Sequence, residues 1–130
     1  QSIEIVLFTL KNSMGGEIFV PKIPSYRLTD LANSIGPSCK KAIIGKRPGE
    51  KIHEEMITPS ESYNTLDIGK YYIIMPSNKD KKVRHYQKKY KAKFVREGFN
   101  YNSGENSKFL TINEIRKLIS NNITKNFKPI

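Results

Sequence analysis

Tryptophan is absent from the chain, and cysteine occurs once, at Cys39. A lone cysteine excludes a disulfide framework and suits a reducing cytoplasm. Cys39 has no histidine near it in sequence and is read as an idle thiol. Long apolar runs are also missing. The longest, residues 5–10, is broken by Thr9 and is far too short to cross a bilayer, so no membrane partner is expected. No signal peptide is visible. Histidine is scarce too, with only His53 and His85. His53-Glu54-Glu55 starts like a zincin motif, but position 57 is Ile57 where a second histidine is needed. No metal site is expected.

The usual catalytic signatures are lacking as well. No Gly-x-Gly-x-x-Gly run is present to cradle a dinucleotide pyrophosphate. None of the seven tyrosines has a lysine four positions on. No Ser/His/Asp or Cys/His set stands out. The catalytic assignment is therefore empty.

Charge of one sign is plentiful but local. The net charge is +11 over 130 residues. Residues 79–96 hold nine Lys/Arg (Lys79, Lys81, Lys82, Arg84, Lys88, Lys89, Lys91, Lys93, Arg96) against Asp80 alone. That stretch contributes +8 and the other 112 residues only +3. Tyr86, Tyr90 and Phe94 recur in it every four residues, which fits either a helix or a mobile connection. Phosphate contacts and base stacking would suit such a mixture. A solvated basic face explains it more simply, and no RNA- or DNA-binding motif accompanies it, so a nucleic-acid partner is not expected.

The patterning is that of a mixed α/β fold, and the length fits one domain. Ile3, Val6, Leu7, Leu10 and Met14 repeat at helical spacing, with Gly15-Gly16 as the stop. Residues 17–22 read as a strand ended near Pro21. Pro24-Ser25 opens a second helix through Leu28, Leu31, Ala32 and Ile35, closed by Gly36-Pro37. A short strand is expected over 42–44, a short helix over 51–57 and a capped turn from Thr58. Residues 71–75 are the strongest strand, ended by Pro76. Residues 100–108 read as a polar loop. Thr111-Ile112-Asn113-Glu114 is a capping box that opens the last helix, with Leu110 and Ile115 as its hydrophobic staple. Residues 121–130 are expected to fray. No internal repeat is found.

Gly45-Lys46-Arg47-Pro48-Gly49-Glu50-Lys51 is the most informative stretch. Pro48-Gly49 sets a turn that projects Arg47 and Glu50 the same way. A guanidinium fork suits a diphosphate, and a carboxylate accepts from both hydroxyls of a ribose. Spacing alone is explained more readily by a surface turn with an incidental Arg–Glu pair.

Four blocks together resemble one family. They are Gly16-Glu17-Ile18-Phe19-Val20-Pro21-Lys22-Ile23-Pro24-Ser25 with Thr29-Asp30-Leu31-Ala32; Ile44 through Glu54; Tyr72-Ile73-Ile74-Met75-Pro76; and Phe99-Asn100-Tyr101-Asn102-Ser103 through Asn106 to Leu110. In register, they are similar to the C-terminal part of the inverting UDP-N-acetylglucosamine 4,6-dehydratases, which are extended short-chain dehydrogenase/reductases. The likeness is weakest over 77–98. It implies an α/β fold, namely the small C-terminal substrate-binding domain of such an enzyme without its Rossmann domain. Residues 1–76 would be the nucleotide-sugar-binding portion, 77–98 a basic connecting segment, and 99–130 the C-terminal loop, helix and tail. The start at Gln1 instead of Met agrees with a fragment.

The resemblance also implies a chemistry. Enzymes of this kind use NADP to oxidise C4 of the sugar, eliminate water across C5 and C6, return the hydride to C6 and invert C5. The product is a 4-keto-6-deoxy nucleotide sugar for flagellin glycans or surface polysaccharide. NADP and the catalytic groups belong to the missing N-terminal domain, so this chain alone is expected to be inactive and to bind no cofactor. By the same resemblance, Arg47 holds the UDP diphosphate and Glu50 the uridine ribose. Asn106 lies near the nucleotide, and Lys22 and Ser25 line the cleft. UDP-N-acetylglucosamine, the N-terminal Rossmann domain and further copies of a cytoplasmic parent enzyme are the partners implied. The alternatives are the C-terminal part of a UDP-sugar epimerase, and a basic nucleic-acid-binding module.

Overall fold

The structure, a computed structural model, describes residues 2–76 and 80–130. Gln1, Lys79 and the start of the basic connecting segment, 77–79, lie outside the described residues. The described chain falls into two compact units, each made of two stretches of sequence: 1–23 with 55–102, and 24–54 with 103–130.

The first unit is built on an antiparallel sheet in the order β1 (Ile18–Pro21), β4 (Tyr71–Ile74), β3 (Thr65–Asp67), β5 (Lys93–Phe94). The Tyr-Tyr-Ile-Ile run of β4 has the β-branched and aromatic character of an interior strand, and it pairs on both sides. Alternation sends its residues to opposite faces. On one face Leu66, Ile73 and Met75 pack with Phe19 against Tyr86, Val83 and Tyr90 of helix α3 (Asp80–Tyr90). Helix α1 (Ser2–Asn12) lays Phe8 on the same side, 4.7 Å from the Tyr71 ring and 5.9 Å from Phe19. On the other face Val20, Tyr72 and Ile74 meet Ile57, Phe99 and Tyr101. Ile57 and Tyr101 belong to a separate two-stranded ribbon of β2 (Glu55–Ile57) and β6 (Tyr101–Asn102).

The 51–57 segment is not the expected helix. Glu55–Ile57 pairs with β6, and Ile57 is fully buried against the sheet. Burying that side chain outweighs the small helix preference of so short a piece. The expected strand over 42–44 is not formed either: among the described residues none pairs with it, and Ile43 and Ile44 stay exposed. The Thr58 turn is present as a 3-10 turn, Pro59–Asn64, with a full capping box to Glu61. Strand β3, which follows it, is too short to be legible in the sequence.

From Asp80 the basic segment is helical as far as Tyr90, with Tyr86 and Tyr90 on its packing face, whereas Phe94 lies in β5 and is exposed. Tyr86 is fully buried, and its hydroxyl donates to the Asn12 carbonyl at 2.9 Å. Lys89 donates to Asn12 Oδ1 at 2.8 Å, and Tyr90 donates to the same atom. Lys82 donates to the Gly15 carbonyl and lies 3.8 Å from the buried Glu17 carboxylate. Burial, with the Glu17 charge adding to it, pushes the Tyr86 phenol well above its ordinary value. Lys89 therefore fastens α3 onto α1 and Lys82 fastens it onto the 15–17 turn that follows, whereas Lys81, Arg84 and Lys88 are exposed.

The second unit pairs helix α2 (Leu28–Ile35) with helix α4 (Ile112–Asn122). Helix α2 starts three residues later than Ser25, because Ser25 is held extended in a bridge to Phe109. At its end Arg116 donates from Nε to Ser34 O at 3.1 Å and from Nη2 to Asn33 O at 3.3 Å. These bonds satisfy carbonyls that a helix terminus leaves open, and place a cation where the dipole favours one. The capping box of α4 is formed: Glu114 N donates to Thr111 Oγ1, and Thr111 N donates to Glu114 Oε2 at 2.8 Å. The tail is tied at its last residue, where Ile130 N donates to Ile35 O at 2.8 Å.

Candidate functional site

The Arg47 turn lies in the second unit. Arg47 O accepts from Glu50 N at 3.1 Å, with Pro48 and Gly49 between them. Gly49 has φ of 84°, so this is a type II turn in which Pro supplies the first central residue and Gly the left-handed second. A Cβ on Gly49 would meet nothing, so glycine is required here for its backbone conformation and not for space. The turn brings the two functional side chains together. The Arg47 backbone N–H donates to Glu50 Oε2 at 3.0 Å, and Arg47 Nε stands 3.8 Å from Glu50 Oε1. Both side chains are largely exposed. Screening by water makes such a pair worth only about 0–1 kcal/mol, so the guanidinium is cheaply released to another anion.

Asn106 and Ser25 are brought together as well. Asn106 Nδ2 donates to Ser25 Oγ at 3.1 Å, and Asn106 Oδ1 accepts from Lys108 N at 3.3 Å. Ser25 is buried; its N–H donates to Lys108 O at 2.9 Å and its carbonyl accepts from Leu110 N at 2.7 Å. Its role here is to pin the 103–110 loop. Lys22 belongs to the first unit. It donates to Asp67 Oδ1 at 2.7 Å and lies 4.3 Å from the Tyr72 ring centre. Of the five candidate residues, the structure pairs Arg47 with Glu50 and Ser25 with Asn106, and gives Lys22 an acidic partner of its own.

Sequence reading missed how the second unit joins the Arg47 loop to the Asn106 loop. Glu54 N donates to Ser103 Oγ at 3.0 Å, and Ser103 N donates to Glu54 O at 2.8 Å. Beside this pair the His53 ring lies over Gly104 so closely that an added Cβ would stand 2.7 Å from three ring atoms. The exposed His53 ring thus rests on Gly104, and a side chain at 104 would have to displace it. The Gly at 104, after a polar Asn-Tyr-Asn-Ser run, was the only available signal. Among the described residues no group of three or more His, Cys, Asp or Glu side chains could hold a metal. No described helix is long and apolar enough to cross a membrane. Cys39 is free and exposed.

In the first unit a groove of ≈ 660 Å³ is bordered by Lys91, Lys93 and Arg96, with Tyr72 and Phe99 in its wall and Asp67 on its rim. It combines positive charge with aromatic surface, but none of the sequence candidates lines it.

Residues 1–76 match the family described as "Polysaccharide biosynthesis protein". The chain belongs to this family. Among its curated relatives is the inverting UDP-N-acetylglucosamine 4,6-dehydratase of Campylobacter jejuni subsp. jejuni serotype O:2, which is 38% identical over 122 residues. That alignment takes in 91% of this chain and 36% of the relative. The UDP-glucose 4-epimerase of Rickettsia felis is 31% identical over 126 residues, 92% of this chain and 36% of the relative. The solved structure titled "X-ray structure of Pen from Bacillus thuringiensis" superposes with a TM-score of 0.73 at 28% identity, covering 93% of this chain and 36% of that one. This member of the polysaccharide biosynthesis family thus spans about a third of the length of the curated relatives it matches. Its mixed α/β fold is that of a corresponding part of a longer solved chain.

Proposed function

We propose that this chain is the C-terminal, UDP-sugar-binding part of an inverting UDP-N-acetylglucosamine 4,6-dehydratase. The observation that carries the proposal is the Arg47-Pro48-Gly49-Glu50 turn, which presents a guanidinium and a carboxylate side by side and open to solvent. Arg47 exchanges Glu50 for the diphosphate, to which its fork donates two charge-assisted hydrogen bonds. Glu50, oriented by the Arg47 backbone N–H, turns its other oxygen to the ribose hydroxyls. Asn106 contributes near the nucleotide, with Ser25 holding its amide, and Lys22 is a further candidate contact to the substrate. In this reading residues 1–76 and 99–130 carry the nucleotide-sugar contacts, while α3 and β5 of the basic segment belong to the framework of the first unit.

NADP, which supplies the hydride chemistry of such an enzyme, does not fit the residues present. The chain has no glycine-rich turn leading from a strand into a helix, so no step is assigned to its own side chains beyond binding and orienting the substrate. The cofactor and the catalytic groups belong to the preceding domain of a cytoplasmic, oligomeric parent that makes a 4-keto-6-deoxy nucleotide sugar for surface glycans or flagellin. The likeness to a UDP-glucose 4-epimerase favours a second reading with the same binding site and a different product.

The test is to incubate the intact polypeptide that carries this segment with UDP-N-acetylglucosamine and NADP, and to identify the sugar. A 4-keto-6-deoxy product with inverted C5 is expected. A 4-epimer would establish the second reading. UDP-dependent protection from hydrogen exchange should centre on Arg47 and Glu50. Salt-sensitive nucleic-acid binding centred on residues 79–96, with no UDP effect, would overturn both readings.

A further inference from the structure

Helix α1 is apolar on two sides. Phe8 faces the sheet, and Asn12 on the same side is buried among the side chains of α3. The opposite side carries Ile3, Val6, Leu7 and Leu10, with Met14 just beyond the helix, each between 47% and 76% exposed. These five residues carry the helical periodicity of the sequence, so the most regular apolar stripe in the chain is one that its own fold leaves uncovered. A helix that is apolar nearly all round is ordinarily buried, and a contiguous exposed apolar face of this kind marks an interaction surface.

We infer that this face is the docking surface for the polypeptide that precedes the segment in its parent, which lays an apolar layer of its own over α1. The inference rests on the reading of the chain as a C-terminal part, and not on the sugar-nucleotide chemistry. The matched relatives leave most of their length outside the alignment. On that reading the preceding polypeptide joins at the first turn of α1. Its tether holds it near this face at an effective concentration in the millimolar range, which a second copy at micromolar concentration does not match. The result is the layer packing by which a helix ordinarily buries both its apolar sides.

The experiment uses single cysteines at Leu7→Cys and Leu10→Cys, each in a Cys39→Ser background. They are made both in the 130-residue chain and in the intact parent polypeptide, and Lys117→Cys, on the exposed side of α4, is the control. Maleimide labelling rates are read under native conditions at several protein concentrations. In the short chain the α1 cysteines should react about as fast as the control at every concentration. In the parent they should react at least about tenfold slower while the control is unchanged. Equal rates in both proteins would overturn the inference. So would slow labelling in the short chain that depends on concentration, which would assign the face to a second copy. UDP binding by the same parent proteins is measured by calorimetry. Protected cysteines without UDP binding would support the docking surface and reject the proposed function. Reactive cysteines with UDP binding would do the reverse.

Discussion

Replacing Arg47 by alanine in the parent enzyme isolates the diphosphate contact. Among the described residues its guanidinium meets the Glu50 carboxylate, at 3.8 Å and well exposed. Giving up that pair costs at most about 1 kcal/mol. Charge-assisted hydrogen bonds to a diphosphate return roughly 1.5–3 kcal/mol. The net loss on truncation is therefore about 0.5–3 kcal/mol, or a fall in affinity of roughly two- to a hundred-fold. The diphosphate is unchanged between ground state and transition state, so the loss should raise KM far more than it lowers kcat. Arg47→Lys should recover part of it, since it keeps the charge and loses the fork. Glu50→Gln should cost less than Arg47→Ala, because an amide oxygen still accepts from ribose and from the Arg47 N–H. Steady-state kinetics on the four proteins, with circular dichroism to verify folding, is the assay. An unchanged KM for Arg47→Ala would make the turn structural only and would refute the site.

The fold offers sharper tests of its own. Gly104→Ala should destabilise the second unit by about 1–2 kcal/mol in chemical denaturation, because the new Cβ collides with the His53 ring. The same change in a His53→Ala background should be nearly neutral, and equal costs in the two backgrounds would reject the contact. Lys82→Gln and Lys89→Gln should each lower Tm by a few degrees through lost bonds to Gly15 and Asn12, whereas Lys81→Gln and Lys88→Gln should stay within about 0.5 kcal/mol of wild type. Equal effects for all four lysines would mean that α3 is not fastened as described. Hydrogen bonds from the Thr111 backbone and hydroxyl hold the Glu114 carboxyl below its ordinary 4.5. A lowered pKa in the folded state contributes stability above the unfolded value and loses it as pH falls through the folded one. The advantage of wild type over Glu114→Gln in thermal melts should therefore be full at pH 7 and shrink steadily as the pH falls below about 4.5. An advantage that stays constant as the pH falls would exclude the capping carboxylate as its source.

Local signals fixed what was legible beforehand. The capping box at Thr111 and the Pro48-Gly49 turn each depend on neighbours within four residues, so their residues alone specify them, and the β-branched and aromatic composition of Tyr-Tyr-Ile-Ile marks a strand. The Arg47–Glu50 pairing came with the turn for the same reason. Partners far apart in the chain decided the rest. Residues 55–57 became a strand because Tyr101–Asn102 lies beside them, and 42–44 did not because no described strand does. Ser25 left the helix it was expected to open for a bridge to Phe109, and Asn106 came to rest on it. Lys82 and Lys89 look like any other members of a cationic run until Asn12 and Glu17, some 65–77 residues earlier, are placed against them. Helical spacing revealed that α1 has an apolar stripe. Only the packing of Phe8 on the sheet decided that this stripe points outward, because periodicity specifies that two sides of a helix differ and not which neighbour each will meet.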